Sequence, residues 1–172
     1  ADLPAYPVLI NAGPRKDEEV PQPYFNHAVV AVGNDDGSYM LMDPTDENTT
    51  EIFPAYLGYM SYLVAHPEGE GLRTSPVVPA SENMLSIDTT GTLAANGHLT
   101  LSSQLTFSGI NDNAYRSHFT RLKPEERRQF FEGHLKRRVA GAKLTGLNIA
   151  PPNMLDTTQP LTVTLGYEAA DY

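Results

Sequence analysis

The sequence contains no cysteine among its 172 residues. This absence excludes disulfide bonds, thiolate metal sites and a thiol nucleophile within the chain. Basic residues are also scarce, because 12 Lys and Arg stand against 21 Asp and Glu and leave a formal net charge of −9. Nucleic-acid binding depends on the neutralisation of phosphates by cations, so this charge balance disfavours DNA and RNA as partners.

Long apolar runs are also missing, since none reaches the roughly 18 residues that a transmembrane helix requires. No basic-then-apolar signal segment opens the chain, and its first residues read as a cut into a longer chain. A hydrophobic content of 40%, with 9 Tyr and 6 Phe, can build the core of one domain or two small ones. Composition leaves membrane association and oligomeric state open.

The segment from Tyr24 to Asp46 predicts a buried β-hairpin. Two runs of Ala, Val, Leu, Met and Tyr flank the turn sequence NDDG, so both faces of the hairpin are expected to be buried. A histidine opens the first strand and an aspartate closes the second. Unpaired polar groups in such surroundings cost free energy, so His27 and Asp43 each need a partner.

The length of the turn decides whether these two residues can meet. A three-residue loop over 35–37 places His27 opposite Thr45 and Val29 opposite Asp43. His27 and Asp43 then lie on one face as diagonal neighbours, roughly 7–8 Å apart at the backbone and within side-chain reach. A loop one residue shorter or longer could move them to opposite faces.

These residues resemble the second half of the transglutaminase-like superfamily, whose members share a papain-like Cys-His-Asp arrangement. The matching pattern is Phe25-Asn26-His27, an apolar strand, a short acidic turn, and a second strand that ends in Asp43-Pro44-Thr45. The resemblance implies that His27 is the catalytic histidine and that Asp43 orients it. Residues 5–10 are similar to the strand that follows the nucleophile helix, so the chain is expected to begin just after that helix.

The nucleophilic cysteine has no match, so this chain is expected to be catalytically silent while its parent chain carries the cysteine. The resemblance implies a protein or peptide substrate, no cofactor and no metal. It also implies export to the periplasm or cell surface, as in large exported bacterial members with a β-rich C-terminal region. Amide hydrolysis and amide crosslinking are both open.

Other interpretations of the polar residues are retained as alternatives. His27 and Asp43 could form a purely structural buried pair, and the whole chain could be a non-catalytic binding or structural β module. A glycosidase that uses Asp43 with Asp46 or Glu47 is a further alternative. Calcium at the acidic turn is disfavoured, because two adjacent carboxylates fall short of the 6–8 oxygen ligands that the ion prefers.

The chain is expected to form an α+β fold of mostly antiparallel strands in two domains, residues 1–75 and 76–172. Prolines around Val77-Val78 place the boundary near residue 76. The first domain would be the C-terminal half of a transglutaminase-like core, with a surface loop over 13–23. The second would be a sheet with two helices on one face.

Alternation of apolar and polar residues predicts half-buried strands at the start of the second domain. A three-residue loop ending at a left-handed Gly97 would set Leu93 opposite Leu99 and Ile87 opposite Leu105. Helices are then predicted near 112–122, capped by Asp112 or Asn113, and over 124–140, opened by Pro124. Strands near 143–150 and 160–170 complete the sheet.

Three tyrosines recur at every third position of the segment after the hairpin, at Tyr56, Tyr59 and Tyr62. We interpret them as packing against the back of the hairpin sheet. The alternative is that one of them lines a groove for the acyl acceptor.

Overall fold

The computed structural model describes residues 3–13 and 25–170. The surface loop expected over 13–23 therefore lies outside the described residues, apart from Gly13. The elements are β1 (Ala5–Ile10), β2 (His27–Gly33), β3 (Tyr39–Met42), β4 (Ser61–Val64), β5 (Arg73–Thr74), β6 (Leu85–Leu93), β7 (Leu99–Phe107), α1 (Ile110–Thr120), α2 (Pro124–Arg138), β8 (Lys143–Ala150) and β9 (Thr162–Ala169). They confirm the predicted α+β fold of mostly antiparallel strands.

The chain divides into two compact units between Ala80 and Ser81, and the sequence predicts a boundary near residue 76. The first unit contains a five-stranded antiparallel sheet in the order β3-β2-β1-β4-β5. No helix within the described residues is long and apolar enough to cross a membrane. The buried core of the first unit consists of Val8, Ile10, Val29, Ala31, Leu41, Leu57, Tyr62 and Val64.

The hairpin of β2 and β3 has the predicted register. Ala31 pairs with Leu41, and Asn34 N donates to Ser38 O at 2.9 Å to close the loop. Gly37 has a φ of 78°, a left-handed conformation that residues with a side chain rarely adopt. The structure therefore has the three-residue loop, and the shorter and longer loops that the sequence left open do not occur.

The prediction that both faces of this hairpin are buried is wrong. Val29, Ala31 and Leu41 share the buried face, which the segment around Leu57 covers. On the opposite face Met40 is 45% exposed. An apolar composition shows that a strand can be buried on both sides, but burial also requires an element to cover the second side.

The second unit contains a four-stranded antiparallel sheet in the order β6-β7-β9-β8, with α1 and α2 packed on one face. Its first hairpin has the predicted register, with Leu93 opposite Leu99 and Ile87 opposite Leu105. Gly97 is left-handed, with a φ of 78°. Twelve buried residues form the core: Leu105, Phe107, Phe119, Phe131, Leu135, Ala142, Leu144, Met154, Leu161, Val163, Leu165 and Tyr167.

The start of α1 differs from the prediction. The helix begins at Ile110 with Gly109 as its N-cap residue, so the capping role predicted for Asp112 or Asn113 is wrong. Asn83, which precedes β6, accepts a hydrogen bond from Ile110 N at 2.8 Å and satisfies one donor of the first turn. The second helix begins at Pro124, as predicted.

Asp112 instead pairs with Arg116, which has no exposed surface. The Asp112 carboxylate also accepts a hydrogen bond from Leu161 N at 2.7 Å. A buried charge is tolerated only when its hydrogen bonds are satisfied, so this pair fastens the β8–β9 connection to α1. The guanidinium donates to three carbonyl groups of that connection, those of Met154, Asp156 and Gln159.

We expect Arg116→Met to lower the free energy of unfolding of the second unit by about 3–5 kcal/mol, because Asp112 would become a buried, unpaired charge. The double variant Asp112→Asn/Arg116→Met removes both charges and should recover part of that loss. Urea unfolding followed by the amide resonances of β9 measures both, and Arg121→Met at an exposed site is the control. A double variant as unstable as the single one would contradict the pairing.

Candidate active site

The structure brings His27 and Asp43 into direct contact. The His27 Nε2 atom lies 2.8 Å from Asp43 Oδ2, between the first residue of β2 and the residue that follows β3. The Asp43 side chain is wholly buried, while 24% of the His27 side chain is exposed. The imidazole therefore connects a buried carboxylate to a surface that a reactant can reach.

The second oxygen of Asp43 is held by Thr45. Oδ1 accepts hydrogen bonds from Thr45 N at 3.0 Å and from Thr45 Oγ1 at 2.7 Å. Burial by itself would raise the pKa of Asp43, but the hydrogen bonds from Thr45 and His27 outweigh it and hold that pKa below its ordinary value. Asp43 is therefore ionised at neutral pH and acts only as an acceptor.

An aspartate bonded to the residue two positions on is an ordinary local motif, and this chain contains other examples. Asp36 accepts from the backbone and hydroxyl of Ser38, and Asp156 accepts from those of Thr158. Neither of these carboxylates is buried. Asp43 differs from them in two ways: it is withdrawn from solvent, and its remaining oxygen is bonded to an imidazole.

Backbone contacts fix both partners. Asn26, directly before the histidine, accepts a hydrogen bond from Ala12 N at 2.7 Å through its side chain, which ties the start of β2 to the end of β1. Asp43 N donates to Ile52 O at 2.8 Å. The geometry of His27 and Asp43 is therefore held by the sheet and the loop after it.

Tyr56 is the tyrosine that belongs to this site. Burial and the negative charges of Asp43 and Asp46 raise the pKa of Tyr56, so its hydroxyl keeps its proton beside the carboxylates. The predicted role in core packing is correct for Tyr62, which is buried in β4. It is wrong for Tyr59, which is 56% exposed with a φ of 60°. Regular spacing does not reveal which member of such a series meets the carboxylate.

The serines of the hairpin turn and of β4 lie elsewhere in the first unit. Ser38 lies in the hairpin turn, at the opposite end of β2 from His27, and Ser61 is buried in β4. Thr45 was not predicted as a partner of Asp43, although a hydroxyl two residues after an aspartate is a recognisable signal. Across residues 3–13 and 25–170, no three His, Asp or Glu side chains come together as metal ligands.

Comparisons of the chain with protein-family models, curated proteins and solved structures find no match. The assignment of a site therefore depends on the residues themselves. Its three parts are a desolvated carboxylate, an imidazole oriented by that carboxylate, and an exposed fraction of the same imidazole.

The lowered pKa of Asp43 predicts how the first unit responds to acid. Because the pKa of Asp43 is lower in the folded chain than in the unfolded chain, its ionised carboxylate stabilises the fold. This stabilisation is fully present above the ordinary pKa of 3.8 and is lost as the pH falls through the folded-state pKa. At pH 7, Asp43→Asn should lower the free energy of unfolding by about 1–3 kcal/mol, because hydrogen bonds to a buried charge are lost. Below pH 3.8, the stability of the Asp43→Asn variant should approach that of the unsubstituted chain.

Chemical denaturation as a function of pH, followed by amide resonances of the first unit, measures this difference. Asp35→Asn, in the exposed hairpin turn, is the control and should keep the acid sensitivity of the unsubstituted chain. A stability difference for Asp43→Asn that does not shrink in acid would contradict the assignment.

Proposed function

We propose that His27 and Asp43 are the base and the orienting carboxylate of a Cys-His-Asp acyl-transfer site in a protein of the transglutaminase-like superfamily. The observation that supports this proposal best is the 2.8 Å contact between Nε2 and Oδ2, with the carboxylate buried and the imidazole partly exposed. The chain has no cysteine. Another segment of a longer parent chain supplies the nucleophile, and this chain alone is catalytically silent.

In this proposal the two imidazole nitrogens have separate tasks. An ionised Asp43 has no proton to donate, so His27 Nε2 carries the proton that they share. This tautomer leaves the lone pair on Nδ1, which is the nitrogen that can take a proton from a thiol. Asp43 also stabilises the imidazolium that forms when Nδ1 is protonated.

The proposed reaction has two acyl transfers. His27 Nδ1 takes the thiol proton, the thiolate attacks the carbonyl carbon of a protein or peptide amide, and the amine leaves with the proton that Nδ1 returns. The thioester is then attacked by water, which gives hydrolysis, or by a second amine, which gives a crosslink. In both cases the thiol is regenerated. Export to the periplasm or cell surface is part of the same proposal.

The competing function is a non-catalytic binding or structural β module. Two observations favour it: the chain has no nucleophilic thiol, and β6 in the second unit is exposed along its whole length. In such a module the contact between His27 and Asp43 would serve stability alone. The two functions differ in whether turnover by the parent protein depends on the imidazole.

In the parent protein, His27→Ala should lower kcat/KM for peptide-amide turnover by about 10²–10⁴-fold, because the general base is lost. Asp43→Asn should lower it as well, because the imidazole loses the acceptor that selects its tautomer. The rate of thiol alkylation as a function of pH gives a second readout, since loss of His27 should move thiolate formation to higher pH.

His66→Ala is the matched control, because His66 is a histidine of the same unit whose ring packs against Tyr6. It should leave turnover and alkylation unchanged. Turnover by the parent that does not change in His27→Ala would favour the non-catalytic module. A parent with no reactive thiol would end the acyl-transfer proposal.

A further inference from the structure

The strand β6 is an edge strand of the second sheet with one unpaired side. Among the described residues it pairs only with β7, and all nine of its residues are exposed. Leu85, Ile87 and Leu93 are 36%, 45% and 60% exposed. Edge strands are usually short or carry Lys, Pro or a bulge that prevents pairing, whereas the single charge of β6 is Asp88. A long edge that has exposed leucine and isoleucine side chains and no Lys or Pro is suited to pairing with another strand.

The backbone of β6 shows which groups are available for pairing. Ala94 N donates to His98 O, and Ser108 N donates to Met84 O, so the even-numbered residues form the hydrogen bonds to β7. The odd-numbered residues therefore direct their N–H and C=O groups to the open edge. The same odd-numbered residues carry the apolar side chains, on the face where Leu105 and Phe107 pack.

We propose that β6 pairs with β6 of a second copy of this chain, antiparallel about Thr89, and joins the two four-stranded sheets into one. In this register Leu85 faces Leu93 of the second copy, Ile87 faces Gly91, and Thr89 faces Thr89. Each of these pairs joins two odd-numbered residues, whose backbone groups point to the open edge, so the edge is complementary to itself. A two-fold interface of this kind closes, because both copies use the same strand and β6 is then paired on both sides.

The charges of the chain favour a second copy on this edge. Asp88 would face Thr90 of the second copy, so no like charges meet. Residues 81–172 carry nine Lys and Arg and nine Asp and Glu, which makes this unit formally neutral. Residues 1–80 carry three Lys and Arg and twelve Asp and Glu, so the whole net charge of −9 belongs to them. Surfaces with little net charge associate more readily than strongly charged ones.

An apolar groove lies along the same edge. It has a volume of about 210 Å³ between β6 and α2, and its lining includes Ile87, Leu105, Phe130, Leu135 and Val139. From β6, the side chains of Leu85, Ile87 and Thr89 border this groove. A paired β6 would place the apolar side chains of the second copy on the same face, where they continue this surface beyond the edge.

A charge swap across the two-fold axis tests the register. We expect the unsubstituted chain of 18.8 kDa to sediment as a dimer. Leu85→Glu or Leu93→Lys alone should each weaken dimerisation by about 10-fold or more, because an unpaired charge would enter the interface. The double variant Leu85→Glu/Leu93→Lys should restore it, because positions 85 and 93 of opposite copies then carry opposite charges.

The rescue can only arise between copies, since positions 85 and 93 of one strand lie roughly 26 Å apart. Sedimentation velocity of the whole chain measures the dimer, and thermal unfolding checks that each variant folds. Ser102→Lys, on the exposed polar face of β7, is the control and should leave the dimer intact. A monomer at about 100 μM, or single variants that the double variant does not rescue, would overturn the proposal.

Discussion

The desolvation of one carboxylate is the constraint on which the candidate site depends. Transfer of an ionised group out of water costs several kcal/mol unless hydrogen bonds replace its hydration. Asp43 has no exposed side-chain surface, and hydrogen bonds from Thr45 and His27 offset that cost. Thr45 satisfies one oxygen through its backbone and hydroxyl, so the other oxygen is the part that requires an imidazole.

This arrangement explains how a local sequence can orient an imidazole. In the turn Asp43-Pro44-Thr45, Thr45 supplies the hydrogen bonds to Oδ1 and leaves Oδ2 without a local donor. The hairpin register brings His27 next to Oδ2. The hydrogen bond that the buried carboxylate accepts therefore holds the imidazole in place. A purely structural pair would satisfy the same need, which is why turnover in the parent protein is the measurement that separates the two roles.

The parts of the structure that were predictable from sequence depend on neighbours along the chain. Gly37 and Gly97 can adopt left-handed conformations, and each determines the loop length and hence the register of one hairpin. The contact between His27 and Asp43 follows from the first of these registers. The position of β1 between β2 and β4 has no comparable signal, because it results from pairing between distant segments.

The errors arise where a distant residue competes for a local role. Asp112 is of a residue type that often caps helices and lies near the start of α1, but Asn83 from an earlier segment supplies the acceptor there. Asp112 is then available for Arg116, whose other partners are backbone carbonyls of the β8–β9 connection. Carbonyl groups are present at every residue, so no sequence pattern distinguishes the ones that will receive a buried guanidinium.

The two units also divide the electrostatic properties of the chain. All of the formal net charge belongs to residues 1–80, which contain His27 and Asp43, while residues 81–172 are neutral. Two copies that approach through their first units repel each other, and this repulsion is screened beyond about 10 Å at 0.1 M salt. A surface for self-association is therefore favoured on the neutral unit, where β6 combines unpaired backbone groups with exposed leucine and isoleucine side chains. The unit that carries the net charge also contains the candidate site, whereas the strand proposed for pairing belongs to the neutral unit.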